Sequence, residues 1–123
     1  MYLRFETDRM NNDLGIHIGL FQMAYELLNT DEISEEERIA LDENLEWFQT
    51  NLPVARKYKR GRRDRARCWI KGHQRDTIAR MYELRTLLES MGISVRLLKT
   101  RNPGYITWED DYQVAAVPFR DKV

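Results

Sequence analysis

The sequence predicts an α+β domain: a four-stranded, mostly antiparallel sheet with three helices packed on one face, in the order strand, three helices, three-strand meander. Three observations carry this prediction. Residues 2–7 alternate apolar and polar, three central segments place apolar residues at helical spacing, and three later segments alternate again between short turns. With 123 residues, 42% of them hydrophobic, the chain can close one core, so residues 1–123 are expected to form a single domain.

Leu3 and Phe5 alternate with Arg4 and Glu6, the period of a strand with one buried face. Asn11, Asn12 and Asp13 interrupt it and offer a helix cap. Over residues 15–28, Ile16, Leu20, Met23, Ala24, Leu27 and Leu28 follow helical spacing, despite the low helix propensity of Gly15 and Gly19. Ser34 and Glu37 have the spacing of a capping box, and behind them Leu41, Leu45, Phe48 and Leu52 mark the buried stripe of a second helix ending near Asn51. Trp47 lies on the shoulder of that stripe, and Pro53 stops the helix.

Residues 53–66 lack apolar periodicity and contain Pro53 and Gly61, which predicts a mobile basic loop. A third helix is expected from Asp64 or Arg65, carrying Ile70, Ile78, Met81, Leu84, Leu88 and Met91, with a weak point at Gly72 and a stop at Gly92. Residues 93–99, 104–108 and 112–117 read as the meander, joined by turns at Asn102-Pro103-Gly104 and Asp110-Asp111. Residues 112–117 are small or apolar on both faces, as in an internal strand, so the first strand is placed beside them.

Several of these segments carry a resemblance: 2–7, Trp47-Phe48, Trp69-Ile70-Lys71, Ile78-Ala79-Arg80-Met81, residues 99–105, and residues 109–114. Together they resemble a group of small uncharacterised bacterial proteins of about this length. The resemblance spans nearly the whole chain and implies a stand-alone domain. It implies no activity, cofactor or partner.

The formal net charge is zero, yet the charge is segregated. Residues 56–71 hold nine Lys and Arg against one acid, Asp64, whereas residues 26–46 hold nine acids against one base, Arg38. The acidic run is the solvated face of the second helix. The basic run can pair with it, or serve an outside partner. Arginines outnumber lysines in it by six to three, which favours forked contacts to phosphate, and Tyr58 and Trp69 near its ends would stack on bases. The candidate site for nucleic acid (RNA or single-stranded DNA) or another anionic partner is therefore Arg56, Lys57, Tyr58, Lys59, Arg60, Arg62, Arg63, Arg65, Arg67, Trp69 and Lys71. The alternative is an adaptor or inhibitor that docks an acidic protein on the basic segment, or a basic one on the acidic helix.

Other residues carry less. Cys68, the single cysteine, cannot form an internal disulfide and is expected to pack as a small apolar group beside Trp69. His73 and Asp76 have the spacing of one helical turn, but two histidines and one cysteine fall short of a zinc site. Glu109, Asp110 and Asp111 fit turn chemistry better than a metal site, and Trp47 and Trp108 are read as core. No catalytic constellation, metal set or cofactor motif is present, so binding rather than catalysis is expected. The early charge at Arg4 and the lack of a long apolar run predict a cytoplasmic protein with no membrane segment.

Overall fold

The computed structural model describes residues 1–11, 16–52 and 66–119. The expectations placed on residues 53–65, the basic loop and a helix start at Asp64 or Arg65, lie outside the described residues. Strands β1 (Tyr2–Asn11) and β2 (Ile16–Gly19) lead into helices α1 (Leu20–Leu28) and α2 (Glu35–Asn51). Then follow β3 (Arg67–Lys71), α3 (Arg75–Ser90), β4 (Val95–Thr100), β5 (Tyr105–Glu109) and β6 (Gln113–Val117).

The class is α+β, as expected, but the antiparallel sheet has six strands rather than four. The first extra strand is β2, in place of the expected first turns of helix one. Ile16 and Ile18 fit a period of two as well as a helix, and β1 extends far enough to offer them a ladder, with Met10 opposite His17 and Glu6 opposite Gly19. Two contacts lock the pair: the Thr7 hydroxyl donates to the Ile18 carbonyl at 2.8 Å, and His17 Nδ1 donates to the Thr7 carbonyl at 2.9 Å. The second extra strand is β3, where the third helix was expected to begin. Cys68 and Ile70 alternate with Arg67, Trp69 and Lys71 there, and pairing with both β1 and β6 outweighs the helical spacing of Ile70. Gly72 ends β3; its amide donates to the Met1 carbonyl, and a Cβ at Gly72 would sit 2.9 Å from that oxygen.

The three C-terminal strands are not a meander. β5 and β6 form the expected hairpin, turned by Asp110, whose carboxylate accepts from the Tyr112 and Gln113 amides. β4 instead pairs with β1 over six residues, Tyr2↔Thr100 to Thr7↔Val95. Nor is β1 beside β6, because β3 lies between them. β6 is internal, as its apolar faces suggested.

The resulting order, β4-β1-β3-β6-β5, leaves β4 and β5 at opposite edges, with β2 continuing the β3 side of β1. Residues 101–104 nevertheless join those edges. That link reaches roughly 18 Å at most, while five flat strands span about 19 Å between edge axes before any offset along the strands. The sheet must therefore curl. Leu98 of β4 accordingly packs against Trp69 of β3 and Val114 and Ala116 of β6, on the face away from the helices. Gly104 makes the return possible: its φ is +128°, and a Cβ there would lie 2.1 Å from the Val117 carbonyl oxygen.

The opposite face carries the main core. Phe5, Ile70 and Val95 meet Met23 and Leu27 of α1, Leu41, Leu45 and Phe48 of α2, and Met81, Leu84 and Leu88 of α3. The expected capping box starts α2, with Ser34 Oγ accepting from the Glu37 amide and the Glu37 carboxylate accepting from the Ser34 amide. Arg38 of α2 donates to the Leu28 and Thr30 carbonyls, satisfying the open end of α1 and fixing the α1–α2 corner. Gly92, with φ +89°, follows the end of α3 as expected.

Candidate anion-binding face

Antiparallel register sorts the side chains of the curled sheet. Trp69 is opposite Val114, Tyr2 is opposite Lys71, and Glu6 is opposite Arg96. Tyr2, Arg4, Glu6, Arg67, Trp69, Lys71, Arg96 and Leu98 therefore share the face turned away from the helices. Its middle is apolar and covered; its two ends are charged.

At one end, Glu6 is the hub. Its side chain is 1% exposed, and Arg4 Nε meets Oε2 at 2.8 Å while Arg96 Nη2 meets Oε1 at 3.0 Å. Arg67 Nη1 lies 3.8 Å from Oε2. Burial pushes the Glu6 carboxyl up, but hydrogen bonds and charge from Arg4, the Arg96 hydrogen bond and the Arg67 charge together hold it below its ordinary value. The guanidiniums differ in access: Arg4 is 11% exposed and also donates to the Cys68 carbonyl at 3.0 Å, Arg67 is 24% exposed, and Arg96 is 57% exposed. Among the described residues, these three guanidiniums gather around one buried carboxylate.

At the other end, Lys71 Nζ meets Glu109 Oε2 at 2.5 Å. The Glu109 hydrogen bond raises the Lys71 pKa despite opposing burial, with further help from Glu109, Tyr2 and Asp111 charge. Lys71, His73, Lys99 and Glu109 edge an open cavity of about 580 Å³.

Of the eleven expected site residues, Arg67, Trp69 and Lys71 are among the described ones; Arg56 to Arg65 are not. β3 presents all three on one face, Arg67 in the arginine cluster and Lys71 in the ion pair. Trp69 is not an exposed platform: it is 7% exposed and packed on Val114 and Ala116, and its indole N–H finds no partner among the described residues. Cys68 does not pack beside Trp69. Successive strand residues face opposite sides, and Cys68 is exposed. His73 and Asp76 do not share a helical turn as expected, because His73 lies in the turn before α3. Trp108 is not the core residue expected: a bulge puts Ile106 and Trp108 opposite the adjacent residues Ala116 and Ala115, and Trp108 stays partly exposed. Trp47 does pack against the core, beneath the Arg80 guanidinium.

The sequence reading missed Arg4, Glu6 and Arg96, taking the polar side of β1 as solvated. One signal was present: β6 is apolar on both faces, which means that something covers the second face, so polar residues sharing it must be paired. Among the described residues, no three of His, Cys, Asp and Glu gather as metal ligands, and no helix is long and apolar enough to cross a membrane. No family model, curated protein or solved structure matches the chain, so the site is read from its own geometry.

Proposed function

We propose that this chain is a non-catalytic binding protein that recognises an anionic partner, nucleic acid first, through the basic segment 56–71. The observation that supports this reading is the position of Arg67. Segment 56–65 precedes β3 in the sequence, and Arg67 of β3 lies beside Arg4 and Arg96, so the basic run leads along the chain to a face on which three arginines gather. Guanidiniums in this setting neutralise phosphates and release condensed counterions. A cytoplasmic setting belongs to the same reading, as the single cysteine suggests.

The test is a mobility-shift titration at two salt concentrations with RNA and single-stranded DNA. Replacing Arg60, Arg62, Arg63 and Arg65 with Gln weakens binding to many sequences alike and flattens the salt dependence by about 0.7 log units per lost contact on single strands. Absence of wild-type binding to either nucleic acid at low salt refutes the reading.

The protein-interaction alternative has its own support. Glu35, Glu36, Asp42, Glu43 and Glu46 of α2 are exposed around Ile39, which is 49% exposed, and make no ion pair among the described residues. A nuclease-treated pull-down that recovers one basic protein, and loses it when these acids become Gln, favours that reading.

A further inference from the structure

The cavity of about 580 Å³ lies where the start of β1 meets the ends of β3, β4 and β5. Register brings its wall together: Tyr2 is opposite Lys71, Leu3 is opposite Lys99, and His73 stands in the turn from β3 to α3. The Gly72 amide, bonded to the Met1 carbonyl at 2.9 Å, holds that turn against the first residues of β1. The wall has an apolar part, Met1, Leu3 and the ring of Tyr2, and a polar part, Lys71, His73, Lys99 and Glu109.

The polar groups are unequally matched. Glu109, the one carboxylate among the lining residues, is taken by Lys71, whose Nζ meets its Oε2 at 2.5 Å. The Gln74 side-chain nitrogen lies 3.1 Å from the Asp111 carbonyl oxygen and 3.3 Å from His73 Nε2. An amide nitrogen only donates, so His73 Nε2 accepts, and the proton of the neutral ring sits on Nδ1. That N–H, the Lys99 ammonium and the Tyr2 hydroxyl meet no partner among the described residues. The acceptor in the cavity is engaged and the donors are not, so a guest has to bring acceptors. The volume lies within the range of about 300–1,000 Å³ usual for small-molecule sites, and the apolar part of the wall offers contact to a carbon skeleton that an inorganic ion lacks.

We infer that this cavity binds a small organic anion, an oxoanion headgroup on an apolar body, with Lys99 and the His73 Nδ1–H on the headgroup and Met1, Leu3 and Tyr2 along the body. Lys71 is a positioning residue: it holds the Glu109 carboxylate, so that this charge is neutralised and does not repel the guest. The site is separate from the arginine cluster and does not rest on the nucleic-acid reading.

Benzoate and phenyl phosphate share a body and differ in headgroup. Titrated separately into isotope-labelled protein, at least one of them shifts the Lys99 side-chain and His73 ring resonances saturably; a response to phenyl phosphate alone assigns a phosphate ester, and one to benzoate alone a carboxylate. Lys99→Gln, at an exposed position whose change leaves the amide spectrum folded, weakens binding about tenfold or more, the worth of a charge-assisted hydrogen bond. His73→Phe keeps a ring, removes the N–H and also weakens binding. Arg101→Gln removes the same charge two residues further on, outside the cavity wall, and leaves binding unchanged. No saturable shift with either probe overturns the site, and so do equal losses in Lys99→Gln and Arg101→Gln, which attraction to overall charge would produce. Inorganic phosphate is the third arm: binding as tight as that of phenyl phosphate overturns the organic body, because the apolar wall then contributes nothing. Failure of oligonucleotide binding removes the nucleic-acid reading and leaves each of these expectations in place.

Discussion

Replacing Glu6 with Gln keeps the side-chain volume, so no cavity opens and the change isolates the charge. In the folded protein the carboxylate is 1% exposed. The three arginines do not contribute equally. Arg96 is more than half exposed, so its pair is worth at most about 1 kcal/mol, and Arg67 at 3.8 Å adds little more. Arg4 is 11% exposed and holds a charge-assisted hydrogen bond of 2.8 Å, worth about 1.5–3 kcal/mol. Its loss leaves a nearly buried guanidinium facing an amide that offers only one acceptor oxygen. Breaking a buried pair costs about 3–5 kcal/mol, and the partial exposure of the cluster places Glu6→Gln near the lower end, about 3 kcal/mol. For a domain of this size that lowers the melting temperature by roughly 10–15 °C. The sign of the pH dependence follows from the depressed pKa. The carboxylate contribution is complete above the ordinary carboxyl value of 4.5 in the unfolded chain and is lost as pH falls through the lower folded value. Urea unfolding of wild type and Glu6→Gln from neutral pH into acid tests both statements: the gap is largest near neutrality and closes below the ordinary carboxyl value. A gap under about 1 kcal/mol at neutral pH, or one that persists undiminished into strong acid, refutes the assignment of Glu6 as a buried ionised hub.

Three further outcomes are expected. Gly104→Ala prevents folding or lowers stability by more than about 3 kcal/mol by denaturant titration, because its Cβ would meet the Val117 carbonyl at 2.1 Å in a left-handed backbone. Ser34→Ala removes the acceptor for the Glu37 amide and costs about 1 kcal/mol in the same assay, an effect limited by the exposure of the cap. Cys68 reacts with a thiol probe in the native protein without denaturant, since it is exposed although Ile70, on the same side of β3, is buried; labelling only after unfolding would contradict its placement.

Elements specified by their own local sequence were readable. The Ser34–Glu37 box, the Leu41–Leu45–Phe48 stripe, the glycine after α3 and the Asp110 turn all depend on neighbours a few residues away, and all are where the sequence placed them. Elements that exist only because of a distant partner were not. Residues 16–19 and 67–71 are four and five residues long, too short for periodicity to separate strand from helix, and each is extended because β1 or β6 supplies its ladder. The same holds for β4, whose alternation was recognised but whose partner was not. A short link to β5 suggested a hairpin, yet β1 offers six paired positions and places Val95 and Leu97 on the helical core.

The candidate site divides along the same line. Segment 56–71 is conspicuous because its charge is contiguous, whereas Arg4, Glu6 and Arg96 are single residues that meet only through the β1–β4 register, ninety positions apart for Glu6 and Arg96. A one-residue slip of that register would turn Arg96 into the apolar core and Val95 or Leu97 onto the Glu6 face, so the buried carboxylate helps to specify the pairing that also sets the curl of the sheet. The curl brings Leu98 over Trp69 and shuts water from the middle of the face. It thereby leaves the arginine cluster at one end and the Lys71–Glu109 pair at the other, separated by an apolar strip. Among the described residues, the arginines of this face gather at the Glu6 end, where Arg67 begins β3. The same register that keeps Glu6 buried therefore sets Arg96 against the carboxylate that Arg4 and Arg67 also approach.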